Sequence, residues 1–411
     1  MKNNLKYYLH RSVGFMNYDE RLTKDLIMDG FKKIDENQES LNYLKSSYHT
    51  EYLKIMFSDN ENYGVSKFTR ELNLSFSITS KNIDVEAKNI EIFCFHDDYN
   101  IEQIAIFSIE YNIENPDLHK ISDISYALKF NETEINFKNK TLKLEDFINK
   151  EILISTSFTG EDSLVEQFAG KKFKTYLVLD FDQQLTNSKD LLFELGTASK
   201  IGTLTSNNLN TPSNSYKEKI FKNLISCFNN YSCLALLDSF TVIGSNNFNI
   251  KDPNSQKTWR DTYYSIYIFN LYVKCTLQVI SNNFSENPMT KRREFQNFYN
   301  KYYFKKISFN FLPNEIFEGI SKSIEVEEDI NFINKRLETV AVQVNEKQQK
   351  QQELLLFAIS VIALIEIPLH VDGIRKMIGI NETYVYNISF YTSLIIILSI
   401  LLIFISRKNR Y

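Results

Sequence analysis

The residues with the clearest chemical potential lie near the C-terminal end. Glu366 and His370 stand four apart in an otherwise apolar run, so a helix would place them on one face. An ionisable pair in such a run is a candidate lining of a central pore, because a charged group left in hydrocarbon costs about 2.5–3.5 kcal/mol even on insertion scales. With Leu356, Ile359, Ala363 and Ile367 they form the candidate lining of a pore. The other reading places Glu366 at an outer interface, neutralised by His370 or by Lys376 of a neighbouring copy. His370 has no second His or Cys nearby in sequence, so no metal site is expected there.

Elsewhere the chemistry-bearing types are scattered. Lys291-Arg292-Arg293 suits a phosphate or acidic headgroups, or equally a solvated helix start. Phe168-Ala-Gly-Lys-Lys172 has one glycine and precedes a strand, so it is a poor phosphate loop. His96-Asp97-Asp98 falls at an expected hairpin turn. The aromatic face of Trp259–Leu277 fits helix packing better than base stacking. No nucleophile–base pair, framed carboxylate pair or dinucleotide fingerprint stands out, so no enzymatic role is expected and no cofactor is required.

The elements that would position Glu366 and His370 can be read from periodicity. Pro313 suits the first turn of a helix, and the apolar spacing then continues. Ile330, Ile333, Leu337, Val340 and Val344 repeat at three and four, the seam of a coiled coil. A rod from Pro313 to Ile367 would span roughly 80 Å. A polar collar, residues 345–353, gives way to apolar runs at 354–371 and 388–405. Each is close to what crosses a hydrocarbon core of about 30 Å. Lys347 and Lys350 precede the pair, and Arg407, Lys408 and Arg410 follow it. The positive-inside rule then predicts both termini in the cytoplasm and a location in the cell's inner membrane. The expected organisation is a cytoplasmic α/β part over 1–312, a stalk over 313–353, and transmembrane helix 1 over 354–371. An outer loop over 372–387, transmembrane helix 2 over 388–406 and a basic tail over 407–411 complete it.

Before the stalk, residues 1–70 read as partly helical. Leu22, Leu26, Ile27, Phe31 and Ile34 share a face, and Tyr43–Phe57 suits a second helix. From Glu71 the period becomes two. Leu72, Leu74, Phe76 and Ile78 alternate, then Ile83–Ala87, Ile90–Phe95 and Ile104–Ile113, which predicts antiparallel strands. A short helix, or helix plus strand, follows at Leu142–Leu153. Thr175–Leu179 is a further strand, 196–215 a loop, Tyr216–Phe228 a helix and Cys233–Ile243 a strand. Trp259–Ile280 and Lys291–Tyr303 are further helices. The expected fold class is α+β, with a mixed sheet and helices, a stalk helix and a two-helix transmembrane hairpin.

Composition narrows the function. A net charge of −4 over 411 residues argues against wholesale nucleic-acid binding. Cys94, Cys227, Cys233 and Cys275 lack metal-ligand spacing and suit buried thiols in a reducing compartment. Met1–Tyr18 has no continuous apolar core, so no signal peptide is expected.

The C-terminal third, from about Leu312, resembles the CorA superfamily of divalent-cation channels. The resemblance rests on the order of body, stalk and two spans, on Ile367-Pro368-Leu369 followed by Gly373-Ile374, and on the basic tail. The family's Gly-Met-Asn mouth corresponds to Lys376-Met377-Ile378, where the glycine and asparagine are missing. Cationic Lys376 and Arg375 at a pore mouth would repel a divalent ion such as Mg²⁺, only partly offset by Asp372 and Glu382. In overall build the chain is more similar to CorA-like membrane effectors of type III CRISPR systems. That likeness implies a homo-oligomer of three to five copies in a lipid bilayer. A nucleotide second messenger, a conjugate of S-adenosylmethionine and AMP, would open it in antiviral defence. The alternatives are a Mg²⁺ transporter with an altered mouth and a tethered scaffold.

Overall fold

A computed structural model describes residues 5–17, 22–34, 44–57, 64–96, 104–154, 172–183, 188–204, 211–245, 257–282 and 288–379, some isolated positions between these, and helical positions between 387 and 399. The chain divides into two compact units, Met1–Ile333 and Asn334–Tyr411.

The first unit is built on one eleven-stranded sheet. Its strands are β1 (Leu5–Asn17), β2 (Lys32–Lys33), β3 (Gly64–Ile78), β4 (Ile83–His96), β5 (Ile104–Ile113), β6 (Glu134–Phe137), β7 (Lys140–Lys143), β8 (Lys174–Phe181), β9 (Leu224–Ile225), β10 (Tyr231–Leu236) and β11 (Ser239–Ser245). They lie in the order β7-β6-β3-β4-β5-β1-β8-β11-β10-β9, and β2 pairs with β3. Among the described strands only β8 and β11 pair in parallel, and the other neighbouring pairs are antiparallel. The alternation expected from Leu72 to Ile113 is present as the meander β3–β4–β5. Strand β1 falls where the sequence suggests helix and takes the middle of the sheet between β5 and β8.

The helices are α1 (Leu22–Met28), α2 (Thr50–Met56), α3 (Leu118–Leu128), α4 (Leu144–Phe147), α5 (Ser188–Gly196), α6 (Asn214–Phe221), α7 (Tyr263–Asn282), α8 (Pro288–Tyr302), α9 (Phe311–Ser323) and α10 (Val326–Ile378). Helix α4 runs on as a π-helical stretch, Ile148–Leu153, and a second π stretch, Thr258–Thr262, leads into α7. One sheet face packs through Ile92, Phe107, Leu177 and Leu179 against Leu26, Ile121, Ile124, Phe147, Ile152 and Leu192 of α1, α3, α4 with its π extension, and α5. The other face is covered by α7. Phe95 stacks on Tyr272 at 3.8 Å, and Phe93 and Tyr176 meet the Tyr264 ring edge-on. Helix α7 is buried almost all round, which is why its apolar residues do not confine themselves to one stripe.

Gly14 is obligatory in β1, because a Cβ there would run into the Phe107 ring of the neighbouring strand. Beside it, His10 is buried on the α3 face with both ring nitrogens lacking a hydrogen-bond partner. Burial lowers its pKa from 6.5 to about 4. The unfolded chain therefore takes up a proton below pH 6.5 that the folded chain refuses. Stability is full above that pH and falls as pH drops toward 4. The expected loss is about 2 kcal/mol at pH 5 and about 3 kcal/mol at pH 4. Urea unfolding at pH 7 and 5 measures it, and a His10→Leu variant should lose this part of the dependence.

Three expectations are corrected here. The rod does not run unbroken from Pro313. Helix α9 stops at Ser323, Glu325 adopts φ 60°, and α10 starts at Val326. The break turns Ile324, 0 % exposed, and Val326, 3 % exposed, into the core, and that burial offsets the strain at Glu325. Pro313 still sits in the first turn of α9. Second, Cys233–Ile243 is the hairpin β10–β11 rather than one strand.

Third, the transmembrane hairpin of the expected fold class is overturned. Among the described residues no helix is long and apolar enough to cross a membrane. Residues 354–371 are the middle of α10, which continues through Gly373 to Ile378. The uncharged run between Glu353 and Glu366 covers only about 18 Å at about 1.5 Å per residue, well short of a hydrocarbon core. The expected membrane, ion-channel and inner-membrane assignments, with both termini cytoplasmic, fall with the spans. The tail 407–411, Glu382, Asp97, Asp98 and residues 168–171 lie outside the described residues, as does much of 372–387 and 388–406.

Candidate functional site

The residues singled out for function fall mostly on α10, and the structure treats them differently along its length. Ile330 and Ile333, the start of the expected seam, are 6 % and 0 % exposed and belong to the core of the first unit. Leu337, Val340 and Val344 are half-buried, on a helix whose other positions there are mostly exposed. Phe332 and Val342 are exposed large apolar side chains off that stripe.

Further along, Leu356 and Ile359 are exposed at 62 % and 54 %, and Ala363, Glu366 and His370 are exposed too. Ile367 is helical. The structure thus places these expected pore-lining positions on one continuous helix, with the side chains of Leu356, Ile359, Ala363, Glu366 and His370 exposed. Lys376, Met377 and Ile378, the expected outer mouth, form the last turn of α10 rather than a loop. Gly379, at φ 77°, ends the helix, its N–H donating to the Lys376 carbonyl at 3.4 Å. Ser360 and Thr339 return their hydroxyls to the carbonyls four residues before them, so neither competes with the helix.

In the first unit a dense ionisable cluster was not expected from sequence. It lies under α7, where β1, β4 and β5 meet the π stretch. Arg11 Nη1 donates to Glu91 at 3.2 Å and Nη2 to Glu110 at 3.3 Å, and the guanidinium lies 4.3 Å from the Tyr264 ring centre. Arg260 donates to Glu110 at 2.5 Å, and Lys67 approaches Glu91 at 3.7 Å. The π turn makes the network possible. Its wider winding loosens the usual backbone pairing, so Tyr176 Oη donates to the Trp259 carbonyl and Arg11 Nη1 to the Arg260 carbonyl.

Burial alone would raise the Glu91 carboxyl, but Arg11, Lys67 and Arg260 hold it below its ordinary value. Arg11 stays charged because Glu91 and Glu110 outweigh its own desolvation. Asp261 goes the other way, raised by burial more than Lys67 and Arg11 lower it. Both glutamates are ion-paired, so the cluster locks β1, β4 and β5 to the approach of α7 rather than offering a general base. A signal for it exists in sequence: Glu91 and Glu110 interrupt apolar strands at positions that cannot face solvent in a sheet covered on both sides.

Trp259 and the α7 aromatics pack, as read from sequence, in ring contacts with Tyr231, Phe248 and Tyr263. Lys291 pairs with Glu294 at 2.6 Å at the start of α8. His96 Nε2 sits 2.8 Å from Ser66 Oγ. Cys94, Cys233 and Cys275 are buried free thiols, and Cys227 is half-buried. Among the described residues no group of three or more His, Cys, Asp or Glu side chains could hold a metal ion. No family model, curated protein or solved structure matches this chain.

Proposed function

We propose that this chain is a non-enzymatic scaffold that assembles from several copies through α10, in parallel and in register. One observation carries the reading. Beyond the core of the first unit, α10 keeps a stripe of Leu337, Val340 and Val344 at coiled-coil spacing, half-buried within its own chain, and then exposes Leu354, Leu355, Leu356, Ile359 and Ile362. Isolated helices gain most of their stability from packing an apolar face. A second copy offers the same stripe at the same spacing, which is what knobs-into-holes packing requires. The permeabilising and cation-transporting readings need bilayer-crossing helices and are not carried forward.

Cysteine cross-linking tests the register. Val344→Cys lies on the stripe, whereas Val342→Cys points away from it by heptad position. Mild oxidation of the full chain should join copies through Val344→Cys, with Val342→Cys staying largely uncoupled. Equal coupling at both positions, or at neither, contradicts the proposal. The native thiols are mostly buried and should contribute little.

A further inference from the structure

We propose that the first unit carries a docking cleft for an extended, basic peptide segment of another protein, which adds as a short strand to the N-terminal end of β1. This inference stands independently of assembly through α10. The cleft follows from how the sheet splits. Strand β1 pairs with β5 from His10 to Asn17, and with β8 from Leu5 to Val13. From Leu5 to Tyr8 it therefore has a strand on one side only, among the described residues. Past Ile113 the chain leaves β5 through Asn115, at φ 49°, and Pro116 into α3. The Ile113 N–H donates to Tyr8 Oη rather than to the main chain of β1, and Tyr8 Oη donates to Asn112 Oδ1 at 2.9 Å. The phenol thus props the two strands apart.

Between them lies a cleft of about 180 Å³, lined by Leu5, Lys6, Tyr7, Tyr8, Asn112 and Pro116. That is room for one aliphatic or ring side chain and too little for a drug-sized ligand. Along its β1 wall, the N–H and C=O groups that point away from β8 are open to an added strand. The outer edges of the sheet are guarded against such pairing. Strand β7 is four residues long with a lysine at each end. Strand β9 is two residues long and lies under α9, where a Cβ at Gly319 would run into Ile225. The β1 opening carries one such guard, Lys6, at a register shift between Leu5 and Tyr7. Its ammonium is drawn away to Asp182, 3.2 Å distant and just past the end of β8.

The rim selects for positive charge. Glu86 accepts from Asn112 Nδ2 at 3.3 Å, beside the cleft. Asp84 and Glu114 stand across from each other, one step beyond the pair Val85 and Ile113. None of these three carboxylates forms an ion pair with a described residue. The nearby lysines are turned elsewhere. Lys120 Nζ donates to the Glu114 and Asn115 carbonyls, and Lys88 approaches Glu110 at 4.0 Å. The ligand is defined by these three features together. An aliphatic side chain fills the cleft, main-chain bonds run along Leu5–Tyr8, and lysine or arginine side chains face Glu86 and Glu114. The hydrogen bonds from Tyr8 through Asn112 to Glu86 hold one wall in place beforehand, which lowers the ordering cost of binding.

Fluorescence anisotropy of the full chain with a labelled, capped peptide of alternating lysine and valine tests the site. The expected result is saturable binding that weakens as salt rises. The glutamate–valine peptide and the fully N-methylated lysine–valine peptide should each bind at least about tenfold more weakly. Glu86→Gln with Glu114→Gln should weaken the lysine–valine peptide by about tenfold, and Pro116→Trp should do the same by filling the cleft. Glu114 and Pro116 are exposed and Glu86 is half-buried, so these variants should keep the wild-type melting point. Hydrogen exchange at the Leu5–Tyr8 amides should slow in the bound state. The proposal is overturned by the absence of saturable lysine–valine binding up to about 1 mM. It is equally overturned by binding that leaves exchange at Leu5–Tyr8 unchanged, or by equal binding of the N-methylated peptide. Neither outcome bears on the cross-linking pattern of α10.

Discussion

Replacing Arg11 with alanine should cost the first unit on the order of 3–5 kcal/mol, a large part of the stability of an ordinary domain. The reason lies in what remains behind. Glu91 and Glu110 side chains are 11 % and 7 % exposed, and both accept from Arg11, whose own side chain is 1 % exposed. Without the guanidinium, two nearby carboxylates face each other with, among the described residues, Arg260, Lys67 and the more distant Lys88 to compensate. The Tyr264 ring also loses the cation above it. Arg11→Lys should recover only part of the loss, since an ammonium cannot span both carboxylates as the planar fork does. Arg11→Met combined with Glu91→Gln and Glu110→Gln should be milder than Arg11→Ala, because the unpaired charges leave together. Urea denaturation of the three variants at neutral pH gives this ordering directly. Equal stability of Arg11→Ala and the wild type would mean the network has no structural role.

The second large effect concerns α10. Glutamates at Leu337, Val340 and Val344 together should separate the copies, raising the dissociation constant by about a hundredfold or more. Three like charges per helix would meet at the centre of the bundle, where neither water nor a counter-charge compensates them. The helix itself should persist, because glutamate is a good helix former and these positions belong to the second unit. Circular dichroism should therefore change little while the assembled mass drops. Glutamates at Thr339 and Val342, two positions off the stripe, should leave assembly intact.

How much of this was legible in the sequence follows from what faces what. The meander β3–β4–β5 was legible because Leu72 to Ile78 and their successors alternate without interruption, as a half-buried sheet demands. Strand β1 was not, because it lies in the middle of the sheet with both faces covered. His10, Arg11 and Ser12 interrupt its apolar pattern, and their partners Glu91, Glu110 and Tyr111 are distant in sequence. The hairpin β10–β11 was missed because its turn, Leu237-Asp238, lacks glycine and asparagine. The transmembrane hairpin came from hydropathy read over apolar runs. Hydropathy does not register that the first run continues into the charged end of α10, through Asp372, Arg375 and Lys376. The stripe on α10 was legible as a seam from Leu337 onward. Its first members, Ile330 and Ile333, carry the same spacing but serve the core of their own chain, a distinction that periodicity does not contain. The ion pairs on Asp238 were invisible, since Lys129 follows α3, Lys174 opens β8 and Asp238 sits on a turn more than a hundred residues from α3 in sequence.

Sedimentation equilibrium of the full-length chain measures the central claim most directly. Assembly through α10 predicts a mass that is a whole-number multiple of the 48.3 kDa chain at micromolar concentration, reduced to the single-chain mass by the three glutamate substitutions. A wild-type mass of one chain across that concentration range would contradict the account.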